Sequence, residues 1–355
     1  MPRPADHPVA RATMREVARA AGVSPMTVSY VYSRPERVSA ETAARVRAAA
    51  RALAYPGPDP TARSLRRGRV GTLGVVLGER LTYAFDDPQA ARFLAGVADV
   101  CATEGVGLTL LPTTGGPGDV QRVAEAGVDG FVVWTTNDDD PVLDAVAARG
   151  LPAVVHSGPS GRGLPVVGID DRAAAAEVGR IAWAGARRPV VLAFPLDPGR
   201  TRQLLEGPDV GEIRFPVTRA RWEGLRSAWT ADGRAPGHLR LAVCPVNDAR
   251  EGESFTADLL AGAAPPDAIA AMSDELASGA LRAAAAAGLA VPTDVAVTGW
   301  DDGEAAERAG LTTVAQSLRE QGAHCARIAL GRPPAWPEVP GWRVVVRATT
   351  RPLGH

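Results

Sequence analysis

The sequence predicts an all-α helix-turn-helix head followed by an α/β core of two doubly wound lobes. Three observations carry that prediction. Residues 13–55 hold three helix patterns in succession, cations crowd into the first 70 positions, and from residue 70 onward short apolar runs alternate with helical stretches.

Thr13 and Glu16 form a capping box: the hydroxyl accepts from the third amide of the helix and the carboxylate reaches back to the cap residue. Val17 and Ala21 then share a face, and Gly22 falls where the chain must turn sharply. Ser24 followed by Pro25 is a second start signal, a hydroxyl cap and then a proline at the first helical position, so a second helix is expected over about 25–32. Ser39 caps a third helix, in which Ala43, Val46, Ala50 and Leu53 recur at helical spacing and close a small core over Val17, Val28 and Val31.

With Val28 and Val31 turned inward, Pro25, Met26, Thr27, Ser29 and Tyr30 face out, beside the cap residue Ser24. In a helix-turn-helix the start of the second helix enters the major groove, where hydroxyls reach base edges and Met or Tyr touches a thymine methyl. A small helical bundle without nucleic acid is the competing reading, and charge weighs against it. The first 70 residues carry thirteen Arg against five acids, while the remaining 285 carry 26 Arg against 35 acids. A formal net charge of −1 thus conceals a basic head on an acidic body, the footprint expected for phosphate contact. No Lys occurs anywhere, so the clustering of Arg is the signal and its abundance is not.

Nine apolar runs read as core strands: 72–77, 108–111, 130–134, 153–156, 190–194, 213–217, 241–244, 268–272 and 295–300, with a final strand over 343–348. That is too many for one open sheet of ordinary size, so two Rossmann-like lobes are expected. Ligands bind such sheets outside the C-terminal ends of their strands. The rule selects Phe85 and Asp86, Thr135 and Asn137, His156, Asn247 and Asp248, Ser273 and Asp274, and Trp300 and Asp301. Carboxylates, amides and aromatic rings together suit a polyhydroxyl ligand. Plainer readings stand beside this one: the pairs Asp301-Asp302 and Asp170-Asp171 as helix caps, Arg221 as a helix-face ion pair, and His156 as a buried core histidine.

Six landmarks in order then resemble the lactose-repressor (LacI) family of bacterial transcription factors. They are Val17-Ala18 with Ala21-Gly22-Val23-Ser24, Thr27-Val28-Ser29, Val38-Ser39, Tyr55-Pro56, Ala62-Arg63-Ser64-Leu65, and the strand opening at Gly71. The resemblance implies a hinge helix over 61–67 that orders on DNA, with Ala62, Leu65 and Arg66 on the duplex and Leu65 as the minor-groove wedge that unstacks a base step. Arg63, Arg66, Arg67 and Arg69 would follow phosphates and the narrowed groove; without DNA the segment reads as a Pro-rich linker. It also implies a periplasmic-binding-protein-like core in which Asp301 of Gly-Trp-Asp-Asp and Arg221 of Arg-Trp-Glu-Gly hold an effector, with Asn247 and Ser273 at effector-contact positions; Phe85, Asp86, His156, Asp171 and Trp300 complete the candidate site. This chain departs from the family pattern at several places. Tyr30 stands where many members have Arg, Met26 replaces a polar reader, Asn247 falls where an aromatic is frequent, and Ser273 replaces Asn. A different operator is therefore expected, with Arg37 carrying more of the readout.

The expected organisation is a disordered arm over 1–12, the DNA-binding head over 13–58, the hinge over 59–69 and the core over 70–355. Within the core, one lobe takes about 70–169 and 301–331, the other about 170–300 and 332–355. No phosphate loop, nucleophile elbow, His-Glu-x-x-His or Cys-x-x-Cys is present, so neither an enzyme nor a metal or other cofactor is expected. Cys101, Cys244 and Cys325 lie far apart in apolar segments and read as core thiols of a reducing cytoplasm. No apolar run resembles a signal peptide or spans a bilayer. The sequence thus predicts a cytoplasmic homodimeric repressor on a palindromic double-stranded operator, controlled by a small molecule of sugar type. Its rivals are a non-catalytic sugar-binding protein of periplasmic type, and an activator or co-repressor-dependent regulator with a nucleoside-like effector.

Overall fold

A computed structural model describes residues 12–57, 68–134, 136–231, 233–332 and 341–352. The chain divides into two compact units, Met1–Val70 and Gly71–His355. The arm before residue 12, Thr135, and the hinge residues Ala62, Leu65 and Arg66 lie outside the described residues.

In the first unit α1 (Met14–Ala21), α2 (Pro25–Ser33) and α3 (Ala40–Ala52) follow one another. Thr13 Oγ1 accepts from Glu16 N at 3.4 Å, and Thr13 N donates to Glu16 Oε2 at 2.7 Å. Ser24 and Ser39 cap α2 and α3 in the same way, accepting from Thr27 N at 3.1 Å and Thr42 N at 3.3 Å. Each such cap contributes about 1 kcal/mol. Gly22 ends α1 at φ 65°, left-handed backbone that a Cβ disfavours. Val17, Ala18, Ala21, Val28, Val31, Ala43, Val46 and Ala50 form the core, with the Tyr32 and Tyr55 rings edge-on at 6.2 Å beside it. Leu53 does not join them. It follows the last residue of α3, out of helical conformation, and is 37% exposed.

Among the described residues the second unit holds two five-stranded sheets and a two-stranded one. The first sheet contains β1 (Thr72–Leu77), β2 (Gly107–Pro112), β3 (Gly130–Trp134), β4 (Ala153–His156) and β5 (Val166–Val167), all parallel, in the order β2-β1-β3-β4-β5. The second contains β6 (Pro189–Ala193), β7 (Gln203–Glu206), β8 (Arg240–Val243), β9 (Ala268–Ala271) and β10 (Ala296–Thr298), in the order β10-β9-β6-β8-β7. Only β7 runs antiparallel there. Counting parallel strands alone, each lobe places its first strand between its second and third. Both lobes therefore reverse direction at that first strand, β1 or β6, and a crevice opens at its C-terminal end. The strands β3, β4, β6 and β9 are buried along their whole length, because helices cover both faces.

On the first sheet α5 (Pro88–Glu104) packs against α13 (Leu318–Ala329) at backbone distance. A Cβ on Gly96 would stand 1.9 Å from the Arg319 carbonyl oxygen, and one on Gly322 2.1 Å from that of Phe93, so only glycine permits this approach. The other helices are α4 (Tyr83–Asp86), α6 (Asp119–Ala124), α7 (Pro141–Ala148), α8 (Asp171–Ala182), α9 (Pro216–Thr230), α10 (Ala249–Ala261), α11 (Asp274–Ala286) and α12 (Glu304–Ala309). Apolar clusters fill both faces of each sheet.

Eight of the nine expected core strands form within two residues of their expected limits. The strand expected at 213–217 does not. Ile213 follows a short 3-10 turn, and Pro216, lacking an N–H for a ladder, is the first residue of α9. The antiparallel edge is β7 instead. Two further strands escaped the sequence reading, β5 and β11 (Thr313–Gln316), the latter paired antiparallel with β12 (Trp342–Val345). The lobe limits also shift. Ala306 and Leu311 pack in the second lobe's core and Val314 in its other cluster, so 301–314 stay with that lobe. The chain rejoins the first lobe at Leu318.

Candidate functional site

On the head, Ser24, Pro25 and Met26 are exposed at the start of α2, Met26 to 60%. Thr27, Ser29 and Tyr30 are half-buried, and Arg37 is exposed at the end of the short turn Pro35–Arg37. The Ser24 and Thr27 hydroxyls lie 2.9 Å apart and are engaged in capping, which leaves Met26, Ser29 and Tyr30 as the freer groups. Arg15, Arg19, Arg34, Arg45, Arg47 and Arg51 are exposed on the same unit.

In the second unit the strand ends of the two lobes bring together one buried polar cluster. Arg221 of α9 donates from Nε to Asp171 Oδ1 at 2.8 Å and from Nη1 to the Met272 carbonyl at 2.6 Å. Its guanidinium lies 4.0 Å from the Trp300 ring centre and 5.5 Å from that of Phe194, a cation held between π faces. Asp171 opens α8, where the helix dipole favours its charge, yet burial pushes its carboxyl upward against the pull of Arg221. Asp301 is buried at φ 110°, with its N–H on the Val314 carbonyl at 2.7 Å. Burial raises its carboxyl well above the usual range, and the Arg221 charge offsets part of that rise. Asp274, which accepts from Gly303 N at 2.7 Å and Thr313 Oγ1 at 2.8 Å, is pushed by burial up to about 6.

The first lobe contributes aromatic groups. Register places Trp134 and His156 side by side at the ends of β3 and β4. Phe93 stacks on Trp134 at 4.9 Å and touches the His156 ring at 4.7 Å. Burial holds His156 down at about 4, so the imidazole is neutral. A side-chain chain crosses from there to the other lobe: His156 Nε2 to Gln321 Oε1 at 2.8 Å, Gln321 Nε2 to Gln316 Oε1 at 3.0 Å, and Gln316 Nε2 to Asp301 Oδ1 at 2.7 Å. A second link joins Asp87, through its acceptance from Asn247 Nδ2 at 2.7 Å, to Ser273, whose hydroxyl donates to Asn247 Oδ1 at 2.5 Å. Ion pairs Glu79–Arg200 and Asp138–Arg219 also span the lobes. Gln89 Oε1, His156 Nδ1 and Trp300 Nε1 are buried with no hydrogen-bond partner. A cavity of about 420 Å³ opens beside Asp171, lined by Ser157, Gly158, Gly168, Pro216 and Glu223 among others.

The structure thus gathers His156, Asp171, Arg221, Asn247, Ser273, Trp300 and Asp301. Phe85 and Asp86 are a correction: both are exposed, Phe85 to 70%. On the single turn of α4, positions 83 and 87 share one face and 85–86 the opposite one, so Tyr83 and Asp87 point inward instead. Asp301 and Asp302 are not helix caps, since Gly303 precedes α12; Asp302 pairs with Arg347 at 2.7 Å. Asp170 is a cap, accepting from Ala173 N at 2.9 Å. Sequence reasoning missed Tyr83, Asp87, Gln89, Phe93, Trp134, Gln316 and Gln321. The Asp87-Pro88 pair, a cap followed by proline, is a helix-start signal that marked Asp87; Gln316 and Gln321 carry no local signal. Among the described residues no group of His, Cys, Asp or Glu is placed to hold a metal, no helix is long and apolar enough to cross a membrane, and the three cysteines are free and buried.

Comparison with known proteins agrees with both units. Residues 13–57 match the family of bacterial regulatory proteins named for lacI, and residues 210–350 match a periplasmic binding protein-like domain. The HTH-type transcriptional regulator Rv3575c of Mycobacterium tuberculosis is 39% identical over 92% of each chain. Among solved structures, a LacI-family regulator from Corynebacterium glutamicum is 28% identical, covers 96% of this chain and 98% of its own, and superposes with a TM-score of 0.70. The regulator CelR in complex with cellobiose is 26% identical over 96% of this chain and 100% of its own, with a TM-score of 0.63. The chain belongs to the lacI family of bacterial regulatory proteins: it is a DNA-binding transcriptional regulator with an effector-binding core.

Proposed function

We propose that this regulator is a cytoplasmic repressor, binding a palindromic operator as a homodimer and governed by a small carbohydrate held between the two lobes of its core. Each copy sets the start of α2 into one half-site, with Ser24, Pro25, Met26, Thr27, Ser29, Tyr30 and Arg37 against DNA and the 59–69 segment joining head to core. The observation that carries the effector reading is the buried group Arg221, Asp171 and Asp301 at the strand ends, stacked on Trp300 and tied to the facing lobe through Gln316 and Gln321. Hydroxyl groups match such a set of carboxylates, amides and rings, and CelR carries cellobiose.

Binding there acts by conformational bias. A ligand that favours one lobe arrangement alters the spacing of the two hinge segments of a dimer, and it shifts operator affinity only by its difference in affinity between the two arrangements. The core is a sensor without catalysis. Ser157 Oγ stands 3.5 Å from His156 Nε2, but that nitrogen is bound at 2.8 Å to Gln321, and the imidazole makes no bond to a carboxylate that would orient it as a base.

The test is fluorescence anisotropy of the full chain on a duplex selected from random sequence, with and without sugars. Asp301→Ala is expected to leave operator affinity within about twofold while the sugar response disappears. Equal loss of both contradicts the cleft assignment, and a chain that prefers no duplex over random DNA overturns the reading as a whole.

A further inference from the structure

We propose that ion pairs between the lobes latch the cleft shut at its rim, so that the ligand-free core rests closed and rising salt opens it. The latch does not depend on what the effector is; only its consequence for effector entry rests on the reading of the cleft as the effector site.

Two segments of the first lobe reach across, and they follow neighbouring strands of its sheet. After β1, Glu79 pairs with Arg200, in the segment between β6 and β7, and Arg200 Nη1 also reaches the Pro245 carbonyl at 3.5 Å. Arg200 is held there at φ 49°, left-handed backbone that a side chain disfavours. The end of the same loop adds Asp87, bound to Asn247 of the second lobe at 2.7 Å. After β3, Asp138 accepts from both terminal nitrogens of Arg219 on α9, at 2.5 and 3.1 Å, and its own N–H donates to the Arg214 carbonyl at 3.1 Å. Asp139 beside it pairs with the Arg214 side chain. Arg219 is fixed from its own lobe by a bond to the Ile213 carbonyl at 2.7 Å.

The distribution of sign makes a latch of these contacts. The three carboxylates Glu79, Asp138 and Asp139 belong to the first lobe, and the three guanidinium groups that answer them belong to the second. Inside the cleft the pairing differs: Arg221 answers Asp171 within the second lobe, and the lobes are joined through the amides of Gln316 and Gln321. These three attractions thus act at the rim, where water and ions reach them. An isolated exposed pair contributes little. Here Glu79, Arg200, Asp138 and Arg219 are half-buried, Asp138 and Arg219 meet as a two-pronged fork, and opening the cleft must break all three pairs together. Their attraction is screened beyond about 10 Å at 0.1 M salt and beyond about 3 Å at 1 M. Such a latch slows the entry of an effector and favours its retention by the closed form, so even an uncharged ligand acquires a salt-dependent affinity.

Pulsed electron paramagnetic resonance distances in the full chain, without ligand or DNA, test this. Nitroxide labels go on Glu125→Cys in the first lobe and Ala286→Cys in the second, both exposed positions, and the labelled chain is diluted with unlabelled chain so that each distance comes from one copy. The native cysteines are buried and do not compete for label. One narrow distance between the lobes is expected at 50 mM NaCl, with a second population that grows about tenfold at 1 M NaCl. Arg200→Glu combined with Arg219→Glu should show that second population already at 50 mM. A wild-type distribution unchanged between the two salts overturns the proposal, and so does a charge-reversed chain that stays closed at 50 mM. The salt comparison needs no variant, so it decides the matter even if the reversed chain does not fold. No sugar enters this measurement, and its outcome is therefore separate from the sugar response of Asp301→Ala: the latch and the effector reading fail independently.

Discussion

The two lobes of the core share one order of parallel strands and line the cleft with unequal shares of rings and charge. In the first lobe the ends of β3 and β4 supply Trp134 and His156, packed on Phe93 from α5. In the second, Asp171, Arg221, Asp274 and Asp301 supply charge from the starts of helices, from within α9 and from the loop after β10. Topology therefore fixes where a ligand site lies, and the residues at strand ends and helix starts fix what it binds. The difference also assigns the energetics: desolvated ion pairing on one side, ring packing on the other.

Arg221→Ala breaks the charged side most severely. It leaves the Asp171 carboxylate buried beside no cation and uncovers Trp300, so denaturant unfolding of the core should show a loss of about 3–5 kcal/mol. A loss below about 1 kcal/mol would mean that Asp171 is solvated and that the lobes do not differ in this way.

A pH dependence separates the lobes next. Burial holds His156 at about 4 in the folded chain against 6.5 when exposed, so below pH 6.5 the unfolded chain takes up a proton that the folded one refuses. Stability conferred by the neutral imidazole is complete above pH 6.5 and declines as pH falls toward 4. Relative to His156→Gln, the wild-type chain should lose about 3 kcal/mol between pH 7 and pH 4. The carboxyl of Asp274 works in the reverse sense: raised to about 6, it makes the folded chain the better proton binder between pH 6 and pH 4, so acidification restores stability there. A flat difference between wild type and His156→Gln would show that the imidazole is hydrated.

The smallest effect is Phe93→Leu, which keeps most of the buried volume and removes the ring stacked on Trp134. About 1 kcal/mol of stability should go, with sugar affinity falling less than in any variant of the charged side. A larger fall in sugar affinity than for Asp301→Ala would invert the assignment of roles between the lobes.

How much of this the sequence shows depends on how far each signal reaches. The head is legible because Thr13 with Glu16, Ser24 with Pro25 and Ser39 with Thr42 act across three residues or fewer, and the caps form as their spacing requires. Most core strands are legible for a like reason, as apolar runs flanked by turns. The region around 213–217 misleads because Pro216 opens a helix although its neighbours are apolar. At the site, one turn of helix decides between Asp86 and Asp87, and periodicity without a known helix start cannot resolve one residue of phase. Gln321 pairs with His156 across 165 positions, a distance at which spacing carries no information.

The sequence by itself determined the three-helix head, the segregation of Arg toward the N-terminus and the alternation that builds two sheets. Each of these follows from hydrogen bonds and apolar periods a few residues long. Only the tertiary structure decided that Arg221 answers Asp171 fifty positions away, that Asp301 faces the cleft while Asp302 turns to Arg347, and that His156 meets Gln321. Those outcomes depend on which groups lose water together when distant segments pack, and desolvation is a property of the folded surroundings, not of the neighbouring residues in the chain.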